Sequence, residues 1–271
     1  MKQHGDQAKI LAGGMSLIPV MKLRLASPSF LIDIGRISEL DYLTEAGNSI
    51  LIGALTNHHE IEISPVIRKR LPILAETASW IGDPQVRNRG TIGGSLTHSD
   101  PSGDWGAAML AVRGEMRITG EGERVVKADD FFLDTFTSAV TPTELLREII
   151  VPIPGPNSGG AYTKLERKAG DFATAAVAAQ VTIDQKGACT YAGIGLTALG
   201  PTNIRAKRAE DALLGKSMTE RVIEDAAAAA SEDAQPMSDP LRGSAEYRKK
   251  MAGVFTGRAL RLAMDRARGG A

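Results

Sequence analysis

Of the 271 residues only one, Cys189, is a cysteine. A lone thiol closes no internal disulfide, and it holds neither an iron–sulfur cluster nor a cysteine-based zinc site. Histidine is scarce too: His4, His58, His59 and His98 are the only ones present, and none has a partner at metal-ligand spacing. His58 and His59 are adjacent and cannot share a helix face, so both read as surface residues. His98 receives no acid–base role. There is no Walker loop, no G-x-S-x-G elbow and no H-E-x-x-H segment. No run of about 18 apolar residues is available to cross a bilayer. The first residues lack the apolar core of a signal peptide, so a cytoplasmic location is expected. Lys+Arg and Asp+Glu balance at 32 each, which argues against a broad surface for nucleic acid. There is no block of like charge to suggest a membrane surface. If this chain takes part in electron chemistry, the metal centres belong to other chains.

What is present is a globular composition, 43% hydrophobic, enough for one large domain or two ordinary ones. Ala8–Leu11 reads as a strand running into the loop 12–16, with a short helix from Leu17 to about Leu25 behind it. Ser16 is placed to cap that helix, and Pro19 is tolerated in its first turn. Phe30–Ile34 and Ile50–Gly53 read as strands. Asn57 to Glu60 has capping-box spacing, Ser64-Pro65 restarts a helix, and Leu71, Leu74, Ala75, Ala78 and Ile81 recur at helical spacing up to a stop at Gly82. Gly82 to Gly106 reads as a long irregular segment of the kind that carries function. The stretch 152–160, rich in proline and glycine, marks a domain boundary. After it, 161–167, 174–183 and 188–198 suit an antiparallel sheet, the last two joined by the turn Asp184–Gly187. Three helices follow: Ile204–Leu214, one opened by a capping box at Ser217, and Ser244 to about Arg268, with Tyr247, Met251, Val254, Phe255 and Leu262 on one stripe.

Two loops carry the chemistry. In Leu11-Ala12-Gly13-Gly14-Met15-Ser16-Leu17, adjacent glycines between a strand and a helix let the backbone turn sharply and expose successive N–H groups. With a helix N-terminus behind them, such groups bind phosphate oxygens. Gly90-Thr91-Ile92-Gly93-Gly94-Ser95 follows the same logic. Two anion cradles suit a diphosphate, the middle of a dinucleotide, although neither matches G-x-G-x-x-G. The plainer reading is that glycine pairs are simply turns. Asp100 and Asp104, just after the second loop, are placed to accept from ribose hydroxyls or a flavin edge, or else form a solvated Asp-Pro turn with a helix cap at Asp104. Alternation from Tyr162 puts Lys164 and Glu166 on its face of a strand. There a lysine would stabilise an electron-rich ring, unless the face is merely solvated. Cys189 reads as a packed strand residue.

The order of these motifs resembles the medium, FAD-binding subunit of the xanthine oxidase family, carbon monoxide dehydrogenase medium chains in particular. The matching stretches are Ala8 to Leu40, with Ala12 to Pro19; Gln85 to Leu110, with Gly90 to Gly94 and Asp100 to Asp104; Ala161 to Ala173; and Gly195 to Thr202. The resemblance implies an α+β fold: an FAD-binding domain of the vanillyl-alcohol-oxidase type, with two α/β subdomains, over 1–155, then a C-terminal antiparallel sheet plus helices over 160–271. It further implies that Leu11 to Ile18 and Thr91 to Ser95 bind the cofactor, Ala12 to Ser16 and Thr91 to Gly94 holding the FAD diphosphate, that Ile81 lines the flavin pocket, that Asp104 hydrogen-bonds the cofactor, and that Leu146 and Lys164 lie near the flavin. Ser95 stands where many relatives carry asparagine, and Met15 varies within its loop. Similar subunits carry a further strand and helix ahead of the first glycine loop, without which an edge and part of the core stand open. The activity implied is that of an electron-transfer subunit. It takes electrons from an iron–sulfur small subunit with [2Fe–2S] clusters, fed by a molybdopterin large subunit, and passes them to an external acceptor. The alternatives are a stand-alone FAD-dependent oxidoreductase of the same fold and a flavin-free assembly or binding protein.

Overall fold

The computed structural model of the chain describes residues 1–270. The apolar run Ala8–Leu11 is strand β1, followed by helix α1 (Leu17–Lys22) and strand β2 (Phe30–Asp33), which pairs with β1 in parallel. The helix is shorter than its sequence suggests. It ends at Lys22, and Arg24 turns the chain out with φ +58°. Ser16 does not cap it: its own backbone is helical, and its side chain makes no capping bond. Phe30 and Leu31 on β2 are exposed.

Strands β3 (Leu43–Ala46) and β4 (Ser49–Gly53) form a hairpin around the left-handed Gly47. Helices α2 (His58–Ile63), α3 (Pro65–Arg70) and α4 (Pro72–Ser79) then pack in series. Asn57 caps α2 by accepting from the Glu60 amide, Ser64 caps α3, and each of the last two helices opens on a proline whose missing N–H costs nothing there. The segment expected to be irregular is built of helices: α5 (Pro84–Arg87), α6 (Ile92–His98) and α7 (Asp104–Val112). Asp83 and Thr91 cap the first two. Their shortness and their glycines hide them from a periodicity test, since glycine lowers helix propensity by about 1 kcal/mol.

Strands β5 (Glu115–Thr119) and β6 (Glu123–Lys127) follow, then the turn α8 (Ala128–Phe131), a small hairpin of β7 (Phe132–Asp134) and β8 (Thr137–Ser138), and the long β9 (Leu145–Pro152). These complete a sheet of order β3-β4-β9-β5-β6. Past Pro152 the chain enters the antiparallel sheet β10 (Ser158–Leu165), β11 (Ala175–Ile183), β12 (Cys189–Thr197) and β13 (Ile204–Arg205). Three helices close the fold: α9 (Lys207–Leu213), α10 (Glu220–Asp233) and α11 (Ala245–Ala267). The architecture is α+β. Two details depart from the sequence reading. Ile204 and Arg205 are strand, and Thr219, not Ser217, caps α10.

The second sheet is covered on both faces, which is why β11 is buried almost end to end instead of alternating. One side packs on α7 and α4, the other on α11 and α9, with α10 lying against those two helices. Small residues set the spacing. Gly193 and Gly195 lie against the carbonyls of Ala111 and Ala107 so closely that a Cβ on either would strike backbone oxygen. On α11 the buried stripe is Ala252, Phe255, Thr256, Ala259, Leu260 and Ala263. The larger apolar residues expected inside, Tyr247, Val254 and Leu262, are exposed. The helix must approach Gly159 too closely for bulky side chains on the inner face.

Candidate functional site

The β1–α1 loop and the turn into α6 meet although 77 residues separate Gly13 from Gly90 (90 − 13). A Cβ at Gly13 would lie 2.0 Å from the Arg89 carbonyl oxygen, a clash, and one at Gly94 would lie 3.7 Å from the Ala12 Cβ. Gly14, with φ +76°, supplies the left-handed step that aims α1 away from the junction. The loops share a cavity of about 440 Å³, lined by residues 11–17, Thr91, Gly93, Gly94, Ser95 and Leu146 together with His58, His98, Phe136, 140–142, Glu144 and Leu145. Ile18 and Ile92 sit behind these linings, and Ile92 is fully buried.

The two loops do different work. In the first, among the described residues, the amides of Gly13, Gly14, Met15, Ser16 and Leu17 donate to no chain atom. Helix α1 begins directly behind them, so a set of N–H donors faces the cavity at a helix N-terminus. In the second, the amides are largely taken. Ile92 N donates to Thr56 O, Gly93 N to Ala54 O, Gly94 N to Thr91 Oγ1 and Ser95 N to Thr91 O. The second loop is therefore not the amide cradle its sequence implies. It is a capped helix start whose exposed Gly94 lets a ligand come close, flanked by the Thr91 amide and the Ser95 hydroxyl. Both features fit an extended diphosphate: donors on one side, bare backbone on the other.

Asp104, Lys164 and Ile81 do not line that cavity. Asp104, in the first turn of α7, is buried with Lys164. Asp104 Oδ2 accepts from Lys164 Nζ at 3.1 Å, and Oδ1 accepts from Tyr162 Oη at 2.5 Å. Lys164 also donates to the carbonyl of Trp80, the C-terminal cap of α4, where a cation complements the helix dipole. Ile81 follows directly and is half-buried. Burial pushes the Asp104 carboxyl above the ordinary range, and the Lys164 ammonium opposes that shift. Burial likewise carries the Tyr162 phenol well upward. The β10 face that carries Tyr162 and Lys164 is thus a buried polar cluster and not a solvated strand face.

His58 overturns its surface assignment. It is 3% exposed, Trp105 Nε1 donates to its Nδ1 at 3.1 Å, and it lines the cavity. Burial, aided by Arg87, lowers its pKa to about 3, so it stays neutral. Trp105 follows Asp104 in α7, so the pair connects the cavity wall to the buried cluster. The histidine doublet concealed this, because only the distant Trp105 distinguishes the buried member from the half-exposed His59. Phe136 and the rim residues 140–142, Glu144 and Leu145 carry no local motif that marks them in the sequence. Cys189 is buried, as its strand position implies. Among the described residues no group of His, Cys, Asp and Glu is arranged to hold a metal ion, and no helix is long and apolar enough to cross a membrane.

Comparison with known proteins adds the chemistry. Residues 1–154 match the FAD binding domain in molybdopterin dehydrogenase, and residues 160–263 match the CO dehydrogenase flavoprotein C-terminal domain. The chain is 45% identical over 266 residues to the carbon monoxide dehydrogenase medium chain of Hydrogenophaga pseudoflava, covering 97% of this chain and 92% of that one. It is 38% identical over 265 residues to the 6-hydroxypseudooxynicotine dehydrogenase complex subunit alpha of Paenarthrobacter nicotinovorans, covering 97% and 89%. A solved structure of carbon monoxide dehydrogenase from Hydrogenophaga pseudoflava, lacking the Mo-pyranopterin moiety, superposes with a TM-score of 0.95 at 46% identity, covering 98% of this chain and 92% of that one.

Proposed function

This chain belongs to the FAD-binding medium-subunit family of the molybdenum hydroxylases, and from that premise we propose that it relays electrons within such a complex. It takes them from an iron–sulfur small subunit carrying [2Fe–2S] clusters, itself fed by a molybdopterin large subunit, and hands them to an external acceptor. FAD is the cofactor, and the chain is the oxidoreductase subunit that carries it. Bound FAD supplies the electron-accepting ring, while the protein supplies binding, orientation and electrostatics.

The observation that carries this reading is the row of unbonded amides from Gly13 to Leu17 facing the cavity beside Thr91 and Gly94. Leu11 to Ile18 hold the diphosphate from the donor side, and Thr91 to Ser95 form the close wall. Leu146 contributes apolar surface. Ile81, Asp104 and Lys164 serve the flavin end, where the Lys164 ammonium, fixed by Asp104 and Trp80 O, places positive charge beside an electron-rich ring. The lone, buried Cys189 leaves any iron–sulfur cluster to another chain. In this reading 1–155 is the FAD-binding domain, 160–271 is the C-terminal flavoprotein domain, and the complex is cytoplasmic.

The test has two stages. The purified chain is expected to bind FAD with flavin absorption near about 450 nm, and to co-purify with iron–sulfur and molybdenum-containing chains when expressed with its genomic neighbours. Adding the reduced iron–sulfur partner anaerobically then bleaches that band. A chain that binds FAD but whose flavin stays oxidised under those conditions is not a relay.

A further inference from the structure

Phe136 stands 57% exposed at the tip of the β7–β8 hairpin with φ +55°. A bulky side chain adopts that left-handed backbone only when its surroundings impose it. Here they do. Phe136 N donates to Ser99 O at 3.0 Å, Ser99 Oγ donates to Thr137 O at 3.3 Å, and Thr135 Oγ1 donates to Pro201 O at 2.8 Å. Ser99 is the left-handed C-terminal cap of α6, so the hairpin tip is tied to the end of that helix. The tie sets Phe136 against His98, ring centroids 5.1 Å apart and planes inclined by 36°. Both rings line the cavity that the glycine loops share. Core packing does not explain an exposed ring on strained backbone, and asparagine or glycine would occupy the turn at lower cost. Burial holds His98 below the ordinary imidazole range, against the pull of Asp100, so it presents a neutral ring instead of a cation.

We infer that His98 and Phe136 form the platform on which the adenine ring of FAD stacks. The inference rests on the diphosphate reading of the same cavity. Helix α6 advances about 6 Å from Gly94 to His98, which leaves room for the ribose that separates the diphosphate from the adenine. A purine presents a π-face that stacks on aromatic side chains irrespective of its edge groups. The rim adds Val140 and Pro142 as apolar lining.

The test uses the full chain stripped of flavin and titrated with FAD, ADP and FMN, for wild type, Phe136→Ala and Phe136→Asn. Binding is read by calorimetry and folding by thermal melts. Phe136→Ala is expected to weaken ADP and FAD on the order of tenfold, the share of one base–aromatic stack, and to leave FMN unchanged. Phe136→Asn relieves the backbone, so it should melt no lower than wild type while losing ADP affinity equally; that split excludes unfolding as the cause. Unchanged ADP affinity in both variants, with wild type binding FAD, overturns the platform and spares the cofactor reading. Equal weakening of FMN and ADP also overturns it, by placing the flavin end at this rim. Wild type that binds neither FAD nor ADP overturns the diphosphate reading, and the platform with it.

Discussion

Lys164 Nζ lies 3.1 Å from Asp104 Oδ2 across the junction of β10 and α7, and both residues are only 6% exposed. Such a pair contributes little net stability, but removing one partner strands the other. Lys164→Met leaves a buried carboxyl that already binds its proton more tightly than in the unfolded chain. The sign follows from linkage: an acid whose pKa is raised by folding loses stability as pH climbs from its unfolded value through its folded one. The variant should therefore be destabilised by about 3 kcal/mol near neutrality and by clearly less at pH about 5. Urea melts at both pH values check this. An equal loss at both would mean that the carboxyl does not titrate with the fold.

His58 gives the opposite slope. Its pKa falls from 6.5 to about 3 in the folded chain, so its contribution is complete above 6.5 and drains away as pH drops toward 3. At pH 5 the unfolded chain has gained a proton that the native state refuses, a cost of about 2 kcal/mol. His58→Gln keeps an acceptor for Trp105 Nε1 without the titration. Its stability should fall less steeply than wild type between pH 7 and pH 5, as measured by chemical denaturation. Parallel curves would locate the acid sensitivity elsewhere.

Both pairs show how far the sequence could be read. The strand–glycine loop–helix order at Leu11–Leu17 was legible because glycine's backbone freedom is a local property. The antiparallel second sheet was legible from its apolar runs and the Asp184–Gly187 turn. What stayed hidden depends on contacts between distant residues. His58 is a surface residue until Trp105, 47 positions on, turns to meet it. Lys164 looks solvated until α7 brings Asp104 beneath it. The amides of Ile92 and Gly93 look free until Thr56 and Ala54 offer their carbonyls. The glycine pair announced where a ligand comes close, not which backbone groups would touch it.

That distinction can be tested in the first loop. A Cβ at Gly13 would displace the Arg89 carbonyl and pry the two loops apart, whereas the Ser16 side chain makes no capping bond. If backbone N–H groups hold the diphosphate, Gly13→Ala should purify without flavin and melt lower, while Ser16→Ala should keep its flavin. Flavin-to-protein absorbance ratios decide the matter. Retention in Gly13→Ala would remove the loop junction from the binding site.

The second loop calls for a different substitution. Thr91 Oγ1 accepts from Gly94 N at 3.2 Å and caps α6, the helix that separates the glycine wall from His98. Losing a threonine cap costs about 1 kcal/mol, and Thr91→Val also leaves the Gly94 amide without its acceptor. Thr91→Ser preserves the oxygen and should restore most of the loss. If α6 serves chiefly as a rigid spacer along the cofactor, Thr91→Val should release FAD faster than wild type while Thr91→Ser does not, read by stopped-flow flavin fluorescence. Should Thr91→Val instead hold FAD more tightly, the freed Gly94 amide would have become a phosphate donor, and the wall would be a cradle held back by its own cap.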